Sequence, residues 1–142
     1  MVNENVLKFD DGFEDLKING DANRVIRFNP TSGVLLKKIE KAHDDIVSEL
    51  KNIEENKEIS DEEKFELLDK FIKAQIDEIF GVGTSEIVFA GEYSITTVNG
   101  NYIYENFLIA VMDYMTAKIK AETEKSQKRI EEYTKKAEEL KK

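Results

Sequence analysis

Apolar positions recur along this chain in two periods, and the places where the period changes mark its elements. Leu16 and Ile18 alternate with polar neighbours, Asn19-Gly20-Asp21 interrupts, and Val25-Ile26-Arg27-Phe28 follows as a β-prone run. A period of two around a turn cluster predicts a β-hairpin at about 14–28. Two strands alone are marginal in water, so this hairpin must lean on helices. After Asn29-Pro30-Thr31-Ser32 the period lengthens: Leu35, Ile39, Ala42, Ile46, Leu50 and Ile53 follow at steps of three or four. That is one stripe of an amphipathic helix, expected over about 31–56, with proline at its start and Thr31 or Ser32 as cap.

The second helix is expected over 60–80. Ser60 and Glu63 have the spacing of a capping box, in which each side chain satisfies an orphan backbone N–H near the other. Phe65, Leu68, Ile72, Ile76 and Ile79 form its stripe, and Gly81 stands where a left-handed C-terminal cap would end it after Phe80. Thr84-Ser85-Glu86 reads as an N-cap for a short helix at about 85–90 that stops at Gly91. Tyr93 to Val98 is β-branched without a decisive period, and Asn99-Gly100 is a turn signal. The helical pattern returns at about Asn101 through Phe107, Leu108, Val111, Met112, Met115 and Ile119. It continues without glycine or proline to Lys142. The stretch from Phe71 to Met115 is expected to carry most of the core.

The last helix sets the architecture. About 40 residues at 1.5 Å each extend roughly 60 Å, whereas a compact body of about 100 residues is about 34 Å across. Either the C-terminal half projects, or the helix breaks near Thr123–Ser126 and folds back. Ile119, Thr123, Ser126, Ile130, Tyr133, Ala137 and Leu140 alternate steps of four and three, a heptad seam with a weak middle. The fold class is therefore mainly α: a small helical domain (1–120) with an N-terminal β-hairpin and a long C-terminal helix, whose polar extension spans 121–142. Ile119, Ile130, Tyr133, Ala137 and Leu140 are the expected partner-binding residues, for another protein or for self-association through the C-terminal helix.

Charge narrows the partners. Net charge is −9, but residues 118–142 hold nine Lys/Arg against six Glu, while the remaining 117 residues hold 12 basic and 24 acidic groups. An acidic body repels nucleic acid, and a mixed Lys/Glu helix is ordinarily a solvated face, so no nucleic-acid partner is expected. The longest apolar run, Phe107 to Met112, is far short of the ~20 residues that span a bilayer, so no membrane partner is expected either. The N-terminal residues are acidic and lack the apolar core of a secretory leader, and cysteine is absent. Both fit a cytoplasmic protein.

Candidate chemistry is sparse. His43, in His43-Asp44-Asp45, reads as a polar flank of the first helix, since a metal site would need convergent ligands from elsewhere. Gly81-Val82-Gly83-Thr84-Ser85 has a superficial likeness to a phosphate loop but lacks the lysine and follows a helix, so it reads as a helix–helix connection. Glu54-Glu55 and Asp61-Glu62-Glu63 lie at helix ends, where carboxylates are solvated or favour the N-terminal dipole. No calcium loop occurs. No metal, cofactor or catalytic residue is assigned, and an enzyme is not expected. Tyr93, Tyr102, Tyr104, Phe107 and Tyr114 pack either within the core or at an interface.

With these segments in view, residues 20–120 resemble the tail assembly chaperones of long-tailed phages and prophages of Gram-positive bacteria. The likeness lies in the hairpin ending Val25-Ile26-Arg27-Phe28-Asn29-Pro30, the charged helix through Leu35–Ile46, the segment Phe71–Gly91 and the apolar helix through Asn106–Met115. The resemblance implies a non-enzymatic protein of the bacterial host cytoplasm that holds the tape measure protein soluble while the tail tube polymerises. The alternative is a small regulatory or inhibitor protein that binds one host or phage enzyme through a helix.

Overall fold

The computed structural model describes residues 5–141. Strands β1 (Glu14–Ile18) and β2 (Asp21–Phe28) form an antiparallel hairpin, and helices α1 (Gly33–Glu55) and α2 (Asp61–Phe80) follow. A short α3 (Thr84–Phe89), a second hairpin of two-residue strands β3 (Thr97–Val98) and β4 (Asn101–Tyr102), and α4 (Ile103–Leu140) complete the chain. The molecule is mainly helical, with an N-terminal hairpin and a long C-terminal helix.

The first hairpin turns on Asn19 and Gly20, both with positive φ (52° and 77°). Two left-handed central residues give the mirror-image turn whose twist matches paired strands. Asn99 and Gly100 repeat it at 54° and 82°. Only the last two residues of the undecided segment, Thr97–Val98, form the first arm of a small hairpin, and Asn101–Tyr102 is its second arm. Helix α4 consequently begins at Ile103, later than the expected Asn101, with the Glu105 side chain accepting from the Tyr102 N–H at 3.0 Å.

Helix ends follow their local chemistry, with three corrections. Ser32 caps α1, its hydroxyl accepting from the Leu35 N–H at 3.1 Å, while Asn29 holds Thr31 in a turn outside the helix. At Ser60 the cap is one-sided: its hydroxyl accepts from the Glu63 N–H, and the return bond of a capping box is not formed. Helix α2 does end at Gly81, but with φ 115° and ψ 152°, an extended glycine conformation and not the left-handed cap. The left-handed residue is Gly83, which is itself the N-cap of α3. Thr84 is already helical, and the Ser85 N–H is satisfied from outside by the Asp77 carboxylate at 2.7 Å. Asp77, one turn before the end of α2, thus caps the helix that follows.

The core joins Ile26 and Phe28 of β2 to the stripes of α1 and α2, to Val88 and Phe89, and to Tyr104, Leu108, Val111 and Met115 of α4. The stretch from Phe71 to Met115 carries most of this core, as expected, and the hairpin and α1 supply most of the remainder. Ile46, Ile72, Ile76 and Met115 are its most deeply buried side chains. Met115 is also the last buried residue of α4. The helix runs unbroken from Ile103 to Leu140, about 57 Å at 1.5 Å per residue. Every residue from 119 to 141 is exposed, so the distal half projects and does not fold back.

Candidate functional site

Two grooves flank the buried half of α4. The first lies between α4 and the hairpin. The alternation of β1 turns Leu16 and Ile18 toward it, β2 supplies Ile26 and Phe28, and Ile103, Phe107, Ala110, Val111 and Tyr114 form the α4 wall. It encloses about 440 Å³, and its lining is mainly apolar, with Lys17, Asn19 and Asn106 the polar exceptions. Its floor is held by edge-to-face aromatic pairs. Phe28 meets Phe80 at 5.6 Å and Tyr114 at 6.3 Å, and Phe107 meets Phe80 at 5.4 Å and Phe89 at 6.4 Å. Such pairs contribute about 0.5–1.5 kcal/mol each beyond their burial and fix ring orientation. The Tyr114 hydroxyl donates to Glu14 at 2.9 Å, and Lys118 pairs with the same carboxylate at 3.1 Å, tying α4 to the start of β1. Glu14 holds the Lys118 amine above its ordinary pKa, by hydrogen bond and then by charge.

The second groove, about 580 Å³, lies on the opposite flank, between α1 and α4. Ile39, Leu108, Ile109 and Met112 line it with Glu40, His43, Asp44 and Asp113. His43 is exposed. Among the described residues no cluster of three or more His, Cys, Asp or Glu side chains is placed to hold a metal ion.

Beyond the grooves stands the projecting seam. Ile119 is 39 % exposed, Ile130 58 %, Tyr133 66 % and Leu140 87 %, and Ala137 is exposed as well. All five expected partner-binding residues thus lie together on one open helix. The aromatic residues divide. Tyr104 is buried in the core and stacks on Tyr102 at 6.0 Å. Burial, then the neighbouring Glu105, pushes its hydroxyl pKa up to about 12. Tyr93 is exposed at its edge, packs across Phe65 at 4.8 Å and donates to Glu66 at 2.5 Å.

Two polar anchors that shape these surfaces were invisible in the sequence. Arg24 of β2 donates to the Ile87 carbonyl at 2.9 Å and to the Val88 carbonyl. It satisfies the open C-terminal end of α3 and fixes the hairpin against it. Asp69 of α2 is 5 % exposed and accepts from the N–H and the hydroxyl of Ser94, both at 2.7 Å, with Lys73 at 2.9 Å on its other oxygen. The Ser94 carbonyl in turn accepts from the Tyr104 N–H at 3.0 Å. Asp69 therefore anchors, through Ser94, the first turn of α4 to α2. No known protein family, curated protein or solved structure matches the chain.

Proposed function

We propose that this protein is a non-enzymatic assembly chaperone of phage tail morphogenesis, holding apolar helical segments of a tape measure protein in the groove between its hairpin and α4. The observation that carries the reading is that groove: an apolar trough, floored by interlocked aromatic rings and open along one side of α4, on a body of strongly acidic charge. A preformed apolar trough receives an amphipathic helix through anchors at helical spacing. The acidic exterior keeps the loaded complex soluble. The resemblance of residues 20–120 to tail assembly chaperones supplies the partner.

Co-expression with the tape measure protein of the same tail-gene cluster tests the reading. The tape measure protein should move to the soluble fraction with this chain and co-purify with it. Ala110, exposed on the groove wall, provides the control, because Ala110→Arg fills the trough from an exposed position and removes no core side chain. That variant should fold normally and lose most of the solubilising effect. A tape measure protein equally insoluble with and without the chain would overturn the proposal.

A further inference from the structure

The projecting seam does not continue the wall of the hairpin groove. At 100° per residue, Phe107, Ala110, Val111 and Tyr114 point to one side of α4, and Ile109 and Met112 point roughly half a turn away. Continuing from Ile109 and Met112 by alternating steps of four and three gives Thr116, Ile119, Thr123, Ser126, Ile130, Tyr133, Ala137 and Leu140. One heptad stripe thus runs from the α1–α4 groove to the tip, drifting about 20° per heptad round a straight helix, a drift that the left-handed coiling of two paired helices takes up, and the structure leaves Ile109 51 % exposed as well.

We propose that a second copy of this chain occupies this stripe, antiparallel, so that the tip of each α4 seats in the α1–α4 groove of the other copy. Three observations select this occupant. The first is continuity. Setting Ile119 opposite Ile130 of the second copy also sets Met112 opposite Ala137 and Ile109 opposite Leu140. Apolar groove residues meet the seam residues exposed at the tip, and a two-fold axis makes each contact twice.

The second observation is charge beside the stripe. Arg129, Lys136 and Lys141 flank the distal seam, whereas the outer face is mixed, Glu124, Glu131, Glu132, Glu138 and Glu139 standing there with Lys125, Lys128 and Lys135. The receiving groove carries Glu40, Asp44 and Asp113 with His43. A basic-flanked tip therefore enters an acidic-rimmed groove. The third is direction. A parallel pair would face Lys136 with Lys141, like against like, while this antiparallel register faces Glu122 with Arg129 twice. The inference rests on a different surface from the hairpin groove, so it and the chaperone reading stand or fall separately.

The chain contains no cysteine, which allows a clean test in the full-length protein. Ile119→Cys and Ile130→Cys chains are prepared separately and oxidised alone and mixed. The proposal expects a disulfide-linked dimer from the mixture and little from either variant alone. Efficient linkage of Ile130→Cys to itself would indicate a parallel pair and overturn it, as would a monomer by sedimentation together with no linkage in any mixture. Charge exchange provides an independent readout. Glu122→Arg or Arg129→Glu alone should weaken dimerisation about tenfold, since two attractive pairs become repulsive. Both together in one chain should restore it. Equal dimerisation by all four proteins would overturn the register.

Discussion

Asp69 is a carboxylate held almost entirely out of water, and its three donors explain why that is tolerated. A buried charge is costly unless hydrogen-bonded. Here two of the donors are the N–H and hydroxyl of Ser94, in the segment that leads into α4, and the third is Lys73, one turn along α2. Asp69→Ala leaves the N–H and hydroxyl of the fully buried Ser94 without an acceptor, at a cost of about 3 kcal/mol, measurable by urea unfolding. Asp69→Asn retains an acceptor and should lose less. Tyr104 carries a pH signature. Its hydroxyl titrates near pH 12 in the folded chain against an ordinary value of 10. The folded state therefore keeps a proton that the unfolded state has released. This contribution to stability is complete below pH 10 and is lost as pH rises through about 12. Melting temperature should fall across that interval, and Tyr104→Phe should flatten part of the fall. A variant whose alkaline profile superimposes on the parent would remove Tyr104 from the account.

At the scale of elements, α4 joins two helices of different character in one run. From Ile103 to Met115 it is held by the core, and from Ile119 onward none of its residues is buried. Deleting residues 121–142 should therefore move the melting temperature of the monomer by less than about 2 °C, because exposed surface changes are worth within about 0.5 kcal/mol. Calorimetry at a dilution that keeps the parent monomeric checks this. A fall of many degrees would mean that the tail belongs to the core. The helices were legible in the sequence because their stripes are long and regular. Leu35 through Ile53 and Leu68 through Ile76 needed only counting. The hairpin was legible from Asn19-Gly20 between alternating runs. The second hairpin was not, because two-residue strands leave no alternation to read, only the turn Asn99-Gly100. The caps at Gly81 and Thr84 were misread because Asp77, in the preceding helix, supplies what local sequence suggested Thr84 or Ser85 would provide.

At the scale of the whole molecule, the sequence exposed the seam but not the grooves. The seam follows from spacing along one helix. Arg24 ties the hairpin that forms one groove wall to the carbonyls of α3, 63 and 64 residues away, and no local pattern announces such a contact. Asp69 and Lys73, four residues apart on α2, carry no local sign that Ser94, 25 residues on, donates to that carboxylate. The unbroken course of α4 has a mechanical consequence. Its buried end is flanked by the two grooves and tied to β1 through Lys118, and about 32 Å of exposed rod extends from Ile119 to Leu140. Such a rod is a pointer. By that length, a tilt of about ten degrees at the base sweeps the tip through about 5.5 Å. Whatever settles against Phe107, Ala110 and Tyr114 thus has its position written, enlarged, at the far end of the molecule.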